Sequence, residues 1–123
     1  MNRWVTFGAV NMAVGVTLGA FGAHALEDRF DARQMELWMT AQQYQIWHAL
    51  GLILIGLLAA KTGKDLKWPG WLLTIGIVIF SGSLYLLALT DAKWLGAITP
   101  FGGACFIVGW LVLAIGMKSA RTQ

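Results

Sequence analysis

Long apolar runs separated by short polar segments set the pattern of this chain of 123 residues. A membrane-spanning helix needs about 20 mostly apolar residues. Three runs meet that length directly, at about 4–26, 68–90 and 94–117, and none of them contains Asp, Glu, Lys or Arg. A fourth run, 46–60, is shorter, and His48 lies inside it. At a rise of 1.5 Å per residue it covers about 22 Å, short of a hydrocarbon core of about 30 Å. To cross, this helix must draw in residues from about 41 onward. That places Gln42, Gln43, Tyr44, Gln45 and His48 at membrane or interfacial depth, where polar groups need partners within the protein.

Further upstream, Asp31 followed by Gln34 resembles a capping pair. Met35, Trp38, Met39 and Gln42 then share one helical face, while Arg33, Glu36 and Thr40 lie elsewhere. This predicts an amphipathic lead-in at the interface, either continuous with the second span or kinked from it. The whole pattern predicts an all-α membrane protein. Residues 1–123 form one four-transmembrane-helix bundle, with spans at about 4–26, 41–60, 68–90 and 94–117. Gly63 suits a helix C-cap and Pro69 a helix start. Residues 91–93 barely make a turn, so the third and fourth spans should be antiparallel neighbours. Ala23-His24-Ala25 has the small-x-small form of a signal cleavage site, but the preceding apolar run exceeds the usual 7–15 residues of a signal peptide, so a retained span is expected.

Composition agrees with lipid as the solvent. Hydrophobic residues make up 58% and charged residues 12%, about half the charge fraction of a soluble domain. The net charge of +3 is too small and too scattered for a nucleic-acid footprint. The cations act better as topology markers. Arg3, Lys61, Lys64, Lys67, Lys118 and Arg121 fall on one side of a four-span layout, and Arg29, Arg33 and Lys93 on the other, which predicts cytoplasmic termini. Trp4, Trp68 and Trp71 are expected at the inner interface, and Trp38, Trp47 and Trp94 at the outer one. The single cysteine, Cys105, permits no intrachain disulfide.

Lipid tails supply no hydrophobic drive for helix association, so small residues mark contact faces. Gly8, Asn11, Gly15, Gly19 and Gly22 fall on one face of the first span, with Gly15 and Gly19 as a GxxxG pair. Gly102, Gly109 and Gly116 recur every seven residues in the fourth. These faces serve packing within the bundle or between protomers of a homo-oligomer. Asn11 is expected to hydrogen-bond across a helix interface.

The polar residues gather in one leaflet. His24 ends the first span; Tyr44, Gln45 and His48 begin the second; Ser81, Ser83 and Tyr85 lie in the outer half of the third; Thr99 and Pro100 lie near the start of the fourth. Pro100 frees the Gly96 carbonyl and breaks the fourth span. Two readings are open: a hydrogen-bond network that locks the helices, or a site for a small ligand, lipid headgroup or ion. Two histidines at similar depth raise haem, but no third Cys or His joins them for a metal, so no metal or cofactor is expected. His24 joins the cluster only if the first span bends or the glycine face is not the inward one. Glu27, Asp28, Asp31 and Glu36 read as solvated charges. There is no Walker phosphate loop, H-E-x-x-H, C-x-x-C or G-x-S-x-G.

Four motifs stand in one order: Leu18-Gly-Ala-Phe-Gly-Ala-His24, Tyr44-Gln-x-x-His48, Phe80-Ser-Gly-Ser-Leu-Tyr85 with Ala88-Leu89, and Thr99-Pro-x-Gly-Gly103 with Gly109-Trp110. Together they resemble the small bacterial inner-membrane family called domain of unknown function 423, whose eukaryotic relatives are called transmembrane protein 256. The resemblance covers nearly the whole chain. It implies a four-span protein of a bacterial inner membrane and no particular activity. The expectation is a non-enzymatic subunit that binds a partner or lipid. The alternatives are an oligomeric transporter or channel for a small solute or ion, and a haem- or quinone-binding redox protein built on His24 and His48.

Overall fold

In the computed structural model, residues 2–121 are described, with side chains described through residue 118. Arg121, one of the cations counted above, has its side chain outside the described residues. The elements are α1 (Arg3–His24), α2 (Ala32–Thr62), α3 (Lys67–Gly76), a five-residue π-helical segment (Ile77–Ser81), α4 (Gly82–Thr90) and α5 (Leu95–Arg121). α3, the π segment and α4 run on as one rod, so four helices are long and apolar enough to cross a membrane.

Local chemistry fixes the helix ends. Asn2 caps α1 by accepting from the Val5 N–H, and its amide donates across to the Gly56 carbonyl at 2.6 Å. The Asp31–Gln34 capping box is complete in both directions and starts α2. Gly63 ends α2 at φ 72°, a left-handed position that suits glycine. Asp91 takes the same role after α4 at φ 57°, where a short polar side chain is tolerated.

The lead-in and the second span are a single helix of 31 residues, about 46 Å long. That exceeds the hydrocarbon core by roughly 16 Å, and the excess is the polar first part of α2. Two expectations fail. The fourth span is not broken: α5 continues through Pro100. Pro100 falls in the second turn, and Gly96, whose carbonyl loses its donor, is exposed at the helix start instead of sitting in the polar cluster. Trp4 and Trp38 are not interfacial markers either, being 6% and 2% exposed. Each indole fills the notch left by a glycine on the facing helix, Gly70 for Trp4 and Gly22 for Trp38. Trp68 and Trp94 do face outward.

α1 lies along α2. Added side-chain carbons at Gly8, Gly15, Gly19 and Gly22 would meet Ala49 and Ile53, Ile46 and Gln45, Gln42, and Trp38. α5 lies along the third span. Gly102 sits directly on the Phe80 backbone, and Gly109 meets Leu72 and Leu73. Gly116 makes only ordinary contact, with Leu66 at 3.9 Å. The first stripe, and the second at Gly102 and Gly109, are therefore occupied inside one chain. The core between the rods holds Trp4, Leu52, Ile55, Leu73, Ile77 and Phe106. Val14, Leu50, Leu57, Val78, Leu111 and Ile115 point outward, as a lipid-facing belt requires.

Candidate functional site

The polar residues expected as one cluster are distributed over several separate arrangements. The longest runs through the middle of the bundle. The Tyr85 hydroxyl donates to Gln45 Oε1 at 2.7 Å, Gln45 Nε2 donates to Asn11 Oδ1 at 3.3 Å, and Asn11 Nδ2 donates to the Phe7 carbonyl at 2.9 Å. The far end sets the direction of this chain. A backbone carbonyl can only accept, so Asn11 must present its nitrogen to Phe7 and its oxygen to Gln45. Gln45 must then present nitrogen to Asn11 and oxygen to Tyr85. Three helices are joined by one polarised path, as Asn11 was expected to join two.

Ser81 anchors the third span to α2 by donating to the Ala41 carbonyl at 2.7 Å. Ser83 and Thr99 pair across the third span and α5. One hydroxyl hydrogen bridges the pair, and the other hydroxyl donates within its own helix, Ser83 to the Phe80 carbonyl or Thr99 to the Leu95 carbonyl. These contacts tie helices together and use up the groups that make them.

His48 lies on the opposite side of α2, toward α5. Its ring stacks on Phe106 at 3.6 Å and 12° and also neighbours Tyr44 and Trp110. Its Nδ1 is 2.8 Å from the Tyr44 carbonyl, so Nδ1 carries the hydrogen. His24 is exposed at the end of α1 and joins none of these groups. Gly22 is level with Trp38, and His48 lies ten positions further along α2, about 15 Å away. A haem held by both histidines of one chain does not fit this geometry. Among the described residues no group of three or more His, Cys, Asp or Glu converges on a metal position.

Beside the Tyr85–Gln45–Asn11 path lies a cleft of about 250 Å³ between α1 and the third span. Asn11, Val14 and Leu18 form one wall, Ile77, Val78, Ser81, Gly82 and Tyr85 the other, and Gln45 lies between them. Its accessible lining is almost wholly apolar, with Asn11, Gln45, Ser81 and Tyr85 as its polar residues. The π segment shapes it. Ile77 and Ser81 begin and end that segment, and a side-chain carbon added at Gly82 just beyond would meet nothing within 4 Å. Segments of this kind are frequent at functional sites.

The sequence points to Gln45, Ser81 and Tyr85 as a polar cluster and to Asn11 as a packing residue with a cross-helix hydrogen bond, but does not single out Ile77, Val78 or Gly82. The one available signal was Gly82 between two serines, which is too short to specify a cleft. His24, Tyr44, His48, Ser83 and Thr99 lie outside the cleft lining.

The comparisons with known proteins agree with this architecture. Residues 18–103 match the family described as "Protein of unknown function (DUF423)". A UPF0382 membrane protein of Staphylococcus epidermidis is 53% identical over 115 residues, 94% of each chain. A second, from Staphylococcus saprophyticus, is 51% identical over 116 residues, 94% of this chain and 97% of its own. The UPF0382 membrane protein YwdK of Bacillus subtilis is 44% identical over 117 residues, 94% of this chain and 95% of its own. No solved structure matches significantly. A family match across most of the chain, relatives named as membrane proteins along nearly their full length, and four spanning helices lead to one identification: this chain is an integral membrane protein belonging to the DUF423 family.

Proposed function

We propose that the protein is a non-enzymatic membrane component that holds a lipid-like molecule in the cleft between α1 and the third span. The carrying observation is a cleft whose lining is almost wholly apolar, with Asn11 and Gln45 among its residues. Such a slot suits an amphiphile that enters sideways from the bilayer. Neither wall offers a nucleophile paired with a base, so binding is a better match than catalysis. Most glycines of the two faces meet another helix of the same chain, which supports a homo-oligomer, if formed, built on another surface.

The protein is proposed to reside in a bacterial inner membrane with both termini cytoplasmic. Arg3 and Lys64 line one cavity at the end where α1 starts and α2 stops. Lys61, Lys67 and Lys118 accompany them at that end, against Arg29, Arg33 and Lys93 at the other.

Native mass spectrometry of the full chain from membrane nanodiscs tests the binding reading. Wild type should retain one lipid-like molecule per chain, and Gly82→Phe, which fills the cleft, should lose it. Equal retention by the two proteins would refute the assignment.

A further inference from the structure

We infer that the cleft holds the ring of a prenyl quinone, with a ring carbonyl accepting from amide N–H groups of Asn11 and Gln45. This rests on the lipid-binding reading and narrows it to a chemical class.

The hydrogen count comes first. A carboxamide nitrogen carries two hydrogens. Asn11 Nδ2 gives one to Phe7 and Gln45 Nε2 gives one to Asn11. Each nitrogen keeps a second hydrogen with no acceptor among the described residues, and both side chains line the cleft. Uncommitted donors are costly inside a bilayer. The complementary group is therefore an oxygen acceptor. A bare hydrocarbon chain would fill the volume and leave both hydrogens unmet.

Depth narrows the source of that oxygen. Asn11 lies about 12 Å along α1 from Arg3 and about 20 Å from His24. Phospholipid ester oxygens sit at the edges of a core about 30 Å thick and do not reach this level. A quinone carbonyl does, because the body that carries it is apolar.

Size agrees with a ring alone. A cleft of about 250 Å³ is smaller than pockets that enclose whole drug-sized ligands, about 300–1,000 Å³. The prenyl tail would leave it past Val14 and Val78, lining residues whose side chains are also exposed at the surface of the bundle. No electron transfer is part of the proposal; the molecule is held, not reduced.

The test uses full-length wild type, Gln45→Met and Gly82→Phe in nanodiscs of one defined phosphatidylcholine. Each is loaded with menaquinone-4, squalene or geranylgeraniol and washed with excess empty nanodiscs, and the ligand retained per chain is measured by mass spectrometry. Wild type should retain close to one menaquinone-4 and neither squalene nor geranylgeraniol. Gln45→Met should bind menaquinone-4 about tenfold more weakly, the effect of one lost hydrogen bond. Gly82→Phe should retain none above empty nanodiscs. Gly82 makes no hydrogen bond in the polar path, so this variant carries the test if Gln45→Met fails to fold. Retention of squalene or geranylgeraniol at the menaquinone-4 level, abolished by Gly82→Phe, would overturn the quinone and leave lipid binding standing. Phosphatidylcholine held in the cleft in place of menaquinone-4 would do the same. No Gly82-sensitive retention of any molecule would overturn both.

Discussion

Replacing Gly8 by alanine adds one methyl group where α1 crosses α2, and the structure states what it would meet. The new carbon would lie 2.6 Å from the Ala49 carbonyl oxygen, 2.7 Å from Ile53 Cγ1 and 2.9 Å from the Ile53 nitrogen. Two of these three atoms are backbone and cannot swing aside, so α1 must move away from α2. Overpacking of this kind costs about 1–3 kcal/mol. Alanine is also the better helix former, by about 1 kcal/mol, and that gain opposes part of the loss. The net expectation is destabilisation of about 1–2 kcal/mol, a five- to thirtyfold fall in the folded fraction ratio. Gly82→Ala is the internal control, because its added carbon meets nothing within 4 Å. It should be neutral or stabilising by up to about 1 kcal/mol. Reversible unfolding in mixed micelles, followed by maleimide labelling of Cys105, compares the two, since Cys105 is a free thiol. Equal stability of Gly8→Ala and Gly82→Ala would refute the claim that the first glycine stripe is an intrachain contact face.

Tyr85→Phe removes the only donor to Gln45 Oε1 among the described residues and should cost about 0.5–1 kcal/mol in the same assay, as for hydrogen bonds between membrane helices. Trp38→Phe removes the indole bond to the Leu18 carbonyl at 2.9 Å and should cost about 1–2 kcal/mol, counting lost packing as well. His24→Ala should change stability by less than about 0.5 kcal/mol because the side chain is exposed, whereas His48→Ala, losing the Phe106 stack and the Tyr44 bond, should cost at least about 1 kcal/mol; equal effects would contradict the separation of the two histidines. Topology reporters fused after Lys118 and inserted at Gly63 should both report the cytoplasm, and a reporter at Ala92 the opposite side.

Much of the fold was legible because it follows from local rules. Apolar run length located the spans, the Asp31–Gln34 pair marked the start of α2, and Gly63 marked its end. What remained hidden depends on how each helix is turned about its axis. Trp4 and Trp38 look like interfacial residues until the facing notches at Gly70 and Gly22 are known. His24 and His48 stand at similar apparent depth, yet one is exposed and the other faces α5. The π segment has no signature in the sequence. Its wide turn accompanies contacts from two directions, Gly102 against Phe80 and Ser81 against Ala41. Pro100 in the sequence suggests a break, but early in a long helix its missing donor affects only an exposed carbonyl at the end. The candidate site was half visible for the same reason. Gln45, Ser81 and Tyr85 were conspicuous as polar residues in apolar runs, while the apolar walls of the cleft looked like any other membrane helix.

Density for the chain in lipid nanodiscs, obtained by cryo-electron microscopy with a bound antibody fragment to add mass, tests the cleft most directly. An elongated non-protein feature between α1 and the third span, ending within hydrogen-bond distance of Asn11 and Gln45, is the expected result. α1 packed flush against the third span, with Val14 and Leu18 touching Ile77 and Val78 and no space between them, would contradict it.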